Sequence, residues 1–81
     1  MELTLELDRE DDGRWIADVP ELPGVLAYGN SAQEAVSKSE VLALRVIADR
    51  IERSEAAPVP IHFSLPAALI AGLTGQSPAN L

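Results

Sequence analysis

An α+β fold, with elements in the order β-β-β-α-β and one long helix packed on an antiparallel-rich sheet, is what this chain of 81 residues predicts. Three observations carry the prediction. Residues 2–8 alternate between apolar and polar side chains, Ser31 with Glu34 opens a helical pattern that runs to about residue 53, and paired prolines or Asp-Gly separate the segments between.

In the first segment Leu3, Leu5 and Leu7 fall on one side and Glu2, Thr4, Glu6 and Asp8 on the other, the period of a half-buried strand. Glu10-Asp11-Asp12 leads into Gly13, and Asp-Gly suits a tight hairpin whose two turn residues both take positive φ. Residues 14–19 return as a second strand. Trp15, Ala17 and Val19 form one face of it and Arg14, Ile16 and Asp18 the other, and Ile16 on the polar side suggests that both faces are partly covered. Pro20-Glu21-Leu22-Pro23-Gly24 cannot lie inside a sheet, because proline lacks the ladder donor, so it is an ordered connection to a third strand at Val25–Gly29.

The helix begins at residue 31 or 32, where the Ser31 and Glu34 side chains form a capping box that satisfies free backbone N–H groups. Ala32, Ala35, Val36, Leu42, Ala43, Val46, Ile47 and Ile51 then give one apolar stripe over about five turns. Pro58 and Pro60 end it, and Ile61, Phe63 and Leu65 alternate with His62 and Ser64 in a last strand. These elements make one domain over residues 1–66. Residues 67–81 form a short helix or frayed tail, weakened by Gly72 and Gly75, and no separate domain.

Composition excludes several kinds of function. The chain has no cysteine and one histidine, which removes disulfides, Cys-type zinc sites and His-clustered metals, and no cofactor is implied. The acidic hairpin Asp8, Glu10, Asp11 and Asp12 lacks the spacing and terminal Glu of a calcium loop and reads as a solvated turn. A net charge of −7 repels phosphate backbones, so direct nucleic-acid binding is not expected, whereas a basic protein is steered toward such a surface. The N-terminus carries no signal-peptide pattern and no apolar run reaches the roughly 18–20 residues that span a bilayer, which points to the cytoplasm. His62 and Ser64 share a strand face, but no nucleophile-elbow motif surrounds Ser64, and a hydrolase built on them ranks below a binding module. One helix covers one sheet face, and a chain of this size buries only roughly 60–65% of its unfolded surface, so self-association into a homo-oligomer, in the simplest case a dimer, is expected.

The run Asp12-Gly13-Arg14-Trp15-Ile16-Ala17-Asp18-Val19-Pro20-Glu21-Leu22-Pro23-Gly24-Val25, followed by Tyr28-Gly29-Asn30-Ser31-Ala32-Gln33-Glu34-Ala35, resembles the amino-terminal domain of the HicB-type antitoxins. The similarity covers about residues 2–52 and joins an acidic hairpin, an aromatic second strand, a Leu-Pro-Gly connection and a Gly-polar-Ser-x-x-Glu-Ala helix start. It implies a partial RNase H-like fold and a homo-oligomer that binds and neutralises a small basic, HicA-like, mRNA-cleaving toxin. Ile61 to Leu69 looks like the opening of a ribbon-helix-helix unit, but the sequence stops before a second helix, which leaves the family's DNA-binding role in doubt. A dimeric regulator using that tail and a solitary module with an unrelated partner are the alternatives.

The partner surface is expected at the proline-restricted connection, with Asp18 and Glu21 offering carboxylates and Leu22, Pro23 and Tyr28 beside them. Leu22 has a second reading, as a residue that closes the core. Charge reversal at Glu21 is expected to weaken partner binding without unfolding the chain.

Overall fold

The computed structural model describes residues 1–55, 57–67 and 69. Its elements are β1 (Glu2–Thr4), β2 (Glu6–Arg9), β3 (Trp15–Asp18), β4 (Leu26–Gly29), α1 (Ala32–Glu52) and β5 (His62–Ser64). The fold is α+β, with one helix on an antiparallel three-stranded sheet ordered β2-β3-β4 and a parallel pair formed by β1 and β5.

The single first strand expected over residues 2–8 is divided at Leu5, because its two halves pair with different neighbours. Leu3 sits opposite Phe63 in the parallel ladder, and the Leu5 amide still donates to the Ser64 carbonyl at 3.0 Å. Glu6 then begins the antiparallel ladder opposite Asp18. Extending that register two residues would set Thr4 opposite Pro20, and proline ends the ladder there. The inward side nevertheless stays continuous, with Leu3 and Leu5 buried and Leu7 packed against the core.

The hairpin between β2 and β3 differs from the expected two-residue turn. Gly13 takes φ +92 while Asp12 does not join it in the positive region. The Gly13 amide donates to the Glu10 carbonyl at 2.9 Å and the Glu10 amide to the Arg14 carbonyl at 2.7 Å, so the loop holds three residues with glycine at the left-handed position. Between β3 and β4, the Leu22 amide donates to the Val19 carbonyl and the Val25 amide to the Leu22 carbonyl. Pro23 and Gly24, the latter at φ +90, occupy the two central positions of that second turn, the pattern of a type II turn.

Ser31 caps α1 as expected, its Oγ accepting from the Glu34 amide at 3.1 Å. The reciprocal half is shifted by one residue, since the Glu34 carboxylate accepts from the Asn30 amide at 2.9 Å. The buried stripe is Ala35, Val36, Ser39, Ala43 and Ile47, flanked by Ala32 and Val46. Leu42 and Ile51, expected on that stripe, are each 37% exposed. Each helical residue turns about 100°, so Leu42 stands well round the cylinder from Ala43, and Ser39 takes the inward place. Its hydroxyl loses no bond there, donating to the Val36 carbonyl at 3.0 Å. At the C-terminus the Glu55 amide reaches the Arg50 carbonyl and Ser54 takes φ 60, a Schellman-type ending with serine at the place glycine usually fills.

α1 packs on β4 and β3 and touches β2. The core unites Leu3, Leu5, Ala17, Val19, Leu22 and Val25 with the helix stripe and Leu69. Leu69, on the expected tail, therefore packs with the domain. Residue 68 and residues 70–81 of that tail lie outside the described residues, as does the continuation of the ribbon-helix-helix-like segment. The strand that would open such a unit has one edge occupied by β1 of its own chain.

Candidate functional site

The helix covers one face of the three-stranded sheet and, among the described residues, the other stays open, so strand alternation decides what the open face displays. Register sets Asp8, Ile16 and Tyr28 in one row across β2, β3 and β4, and Glu6, Asp18 and Leu26 in the next. Leu26 is 45% and Tyr28 41% exposed, while Ile16 and Asp18 are half-buried. The result is an apolar strip of Ile16, Leu26 and Tyr28 framed by three carboxylates. An apolar centre with charged surroundings is the composition of a recognition surface. The Arg14 guanidinium lies 4.6 Å from the centre of the Tyr28 ring and its Nε 2.8 Å from Asp12 Oδ2, which holds both Arg14 and the ring's end of the strip in place. The Arg14 backbone N–H, and then its side chain, keep the Asp12 carboxyl below its ordinary range.

The five residues expected to meet a partner divide between this face and the connection. Asp18 and Tyr28 stand on the open sheet face, in adjacent rows. Pro23 is exposed at the turn. Leu22 is 3% exposed and belongs to the core, so its reading as an apolar anchor gives way to the structural one: the two turns at residues 19–25 fold it inward. Glu21 is exposed, but its carboxylate is engaged, with the Thr4 amide donating to Oε1 at 2.9 Å and the Thr4 hydroxyl to Oε2 at 2.8 Å. Glu21 thus ties the connection to β1 by satisfying the Thr4 amide beyond the point where the antiparallel ladder ends. Reversing its charge would remove this clasp, so Glu21→Lys carries a stability cost beside any effect on partner binding.

The Thr4 amide, and second the Thr4 hydroxyl, hold the Glu21 carboxyl below its ordinary range. A lowered folded value means that the clasp contributes stability above the ordinary carboxylate range, and that this is lost as pH falls through that range toward the folded value. The difference in melting temperature between wild type and Glu21→Gln should therefore be largest near pH 7 and shrink below about pH 4. A difference that does not change with pH would show that the charge plays no part. Glu34 behaves alike, held low by the Asn30 amide and then by the charge of Lys38.

Ile16, Leu26, Glu6 and Asp8 were not among the expected site residues. Ile16 did leave a signal, as the apolar residue that spoils the alternation of its strand. Leu26 left none, since its face depends on the β3–β4 register. His62 and Ser64 are exposed on β5, opposite Glu2 and Thr4 of β1. No group of three or more His, Cys, Asp or Glu side chains is placed to hold a metal among the described residues. No helix there is long and apolar enough to cross a membrane. Comparison of the chain with protein-family models, with curated proteins and with solved structures finds no match in any of the three.

Proposed function

We propose that this chain is a non-enzymatic, HicB-like antitoxin with a partial RNase H-like fold, working in the cytoplasm as a homo-oligomer that binds and neutralises a small basic mRNA-cleaving toxin. The observation that carries the reading is the open sheet face, where Ile16, Leu26 and Tyr28 lie between Glu6, Asp8 and Asp18. Its carboxylates would meet toxin Lys and Arg side chains, and its apolar strip would supply the desolvated centre where binding energy concentrates. The resemblance of residues 2–52 to the family and the excess of acidic over basic residues, 13 to 6, support the same reading. The face replaces the Leu22 and Glu21 connection as the main docking surface, and Asp18 and Tyr28 pass to it.

The reading expects a small basic protein to be encoded beside this one, and the test is co-expression of the two. Wild type should restore growth. Asp18→Lys should weaken the complex mainly by slowing association at low salt, and Tyr28→Ala should cost roughly 2 kcal/mol of binding. Fluorescence of Trp15, the single tryptophan, checks that both variants are folded. Unimpaired rescue by both folded variants would remove this face from the mechanism, and failure of wild type to neutralise or bind the basic protein would refute the antitoxin reading.

A further inference from the structure

α1 carries two apolar stripes on opposite sides. The first is the buried one. The second, Val41, Leu44, Ala48 and Ile51 with the small polar Ser37 one step before them, recurs at steps of four, three, four and three residues on the side turned away from the sheet. All five are exposed, Val41 at 45%, Leu44 at 43% and Ile51 at 37%. A surface helix normally keeps that side polar. The spacing averages 3.5 residues, the repeat with which one helix packs against another over successive turns.

We propose that this stripe is a seam through which α1 pairs, in parallel and in register, with α1 of a second copy of the chain. The proposal rests on the self-association put forward above and says where it occurs. Charge selects the occupant and its direction. Lys38, which pairs with Glu34 of its own helix, Arg45 and Glu52 flank one side of the seam and Glu40 the other, and neither Arg45 nor Glu40 has an ion-pair partner among the described residues. In a parallel pair, Glu40 of each copy faces Arg45 of the other. In an antiparallel pair centred near Leu44, Arg45 would meet its own counterpart. Beside the seam, Ala27, Ser37, Lys38, Val41, Leu42 and Arg45 line a shallow groove of about 390 Å³ that can receive side chains of the second copy. The helix is already held by its own domain, so pairing does not have to order it. Helices packed back to back leave both open sheet faces outward, one for each partner molecule.

The chain has no cysteine, so single-cysteine variants report on the seam directly. Wild type should run in light scattering at about twice the 8.6 kDa chain mass. Leu44→Glu should run at the single-chain mass with unchanged far-ultraviolet circular dichroism. Under mild oxidation, Ser37→Cys and Ala48→Cys should each form a covalent dimer with itself, which only a parallel pair allows at both ends of the seam. A folded Leu44→Glu protein of dimeric mass overturns the seam and leaves self-association standing through another surface. Absence of self-linking in both cysteine variants also overturns it, whether or not Leu44→Glu folds. A monomeric wild type overturns the seam and self-association together.

Discussion

Gly29→Ala is expected to lower the stability of the chain by about 3 kcal/mol, the upper end of what overpacking usually costs. A Cβ on Gly29 would stand 2.5 Å from the Ala35 nitrogen, 3.0 Å from the Ala35 Cα and 3.0 Å from the Glu34 carbonyl carbon. All three are backbone atoms of the first helical turn, so no side-chain rotation relieves the contact. The turn cannot move freely either, because Ser31 caps it and Glu34 ties it to the Asn30 amide. The start of α1 must therefore lift from the end of β4, loosening Ala35 and Val36 in the core. Against a total of roughly 4–12 kcal/mol for a domain of this length, such a loss is severe. Urea unfolding followed by Trp15 fluorescence measures it. A loss below about 0.5 kcal/mol would mean that the helix start yields without cost.

Leu22→Ala should cost a similar amount, about 3 kcal/mol, through lost burial and the cavity left among Val19, Val25 and the helix. Its position is held by the turn bonds to the Val19 carbonyl and from the Val25 amide, so the loop cannot simply collapse into the space. The measurement is a thermal melt paired with partner affinity corrected for the folded fraction. Stability should fall and corrected affinity should change little. Unchanged stability with lost affinity would return Leu22 to the role of anchor.

Much of the architecture was legible because it is written in short-range patterns. Leu3, Leu5 and Leu7 mark the inward side of the first strand by a two-residue period that any pairing must respect. Ser31 caps α1 through contacts within four residues. The prolines of the connection exclude a strand whatever lies beside them. Leu42 is of a different kind: it stands about 100° round the helix from Ala43, and only the closeness of the sheet decides that small Ala43 and Ser39 face it. The site was less legible than the fold. The docking loop alone points to Asp18 and Tyr28, yet cross-strand register sets Asp18 opposite Leu26 and Tyr28 opposite Ile16, partners that no local period links.

The sequence by itself determined the α+β class, the order of the elements, the acidic character of the chain and the cap and length of α1, because local geometry and composition suffice for each. Only the tertiary structure decided that the first strand changes partners at Leu5, that Leu22 turns inward while Glu21 clasps Thr4, that Gly29 lies against the helix start, and that the open face gathers Ile16, Leu26 and Tyr28. Each of these depends on which distant backbone lies within a few ångströms, a matter settled by strand register and close packing and left open by any local period.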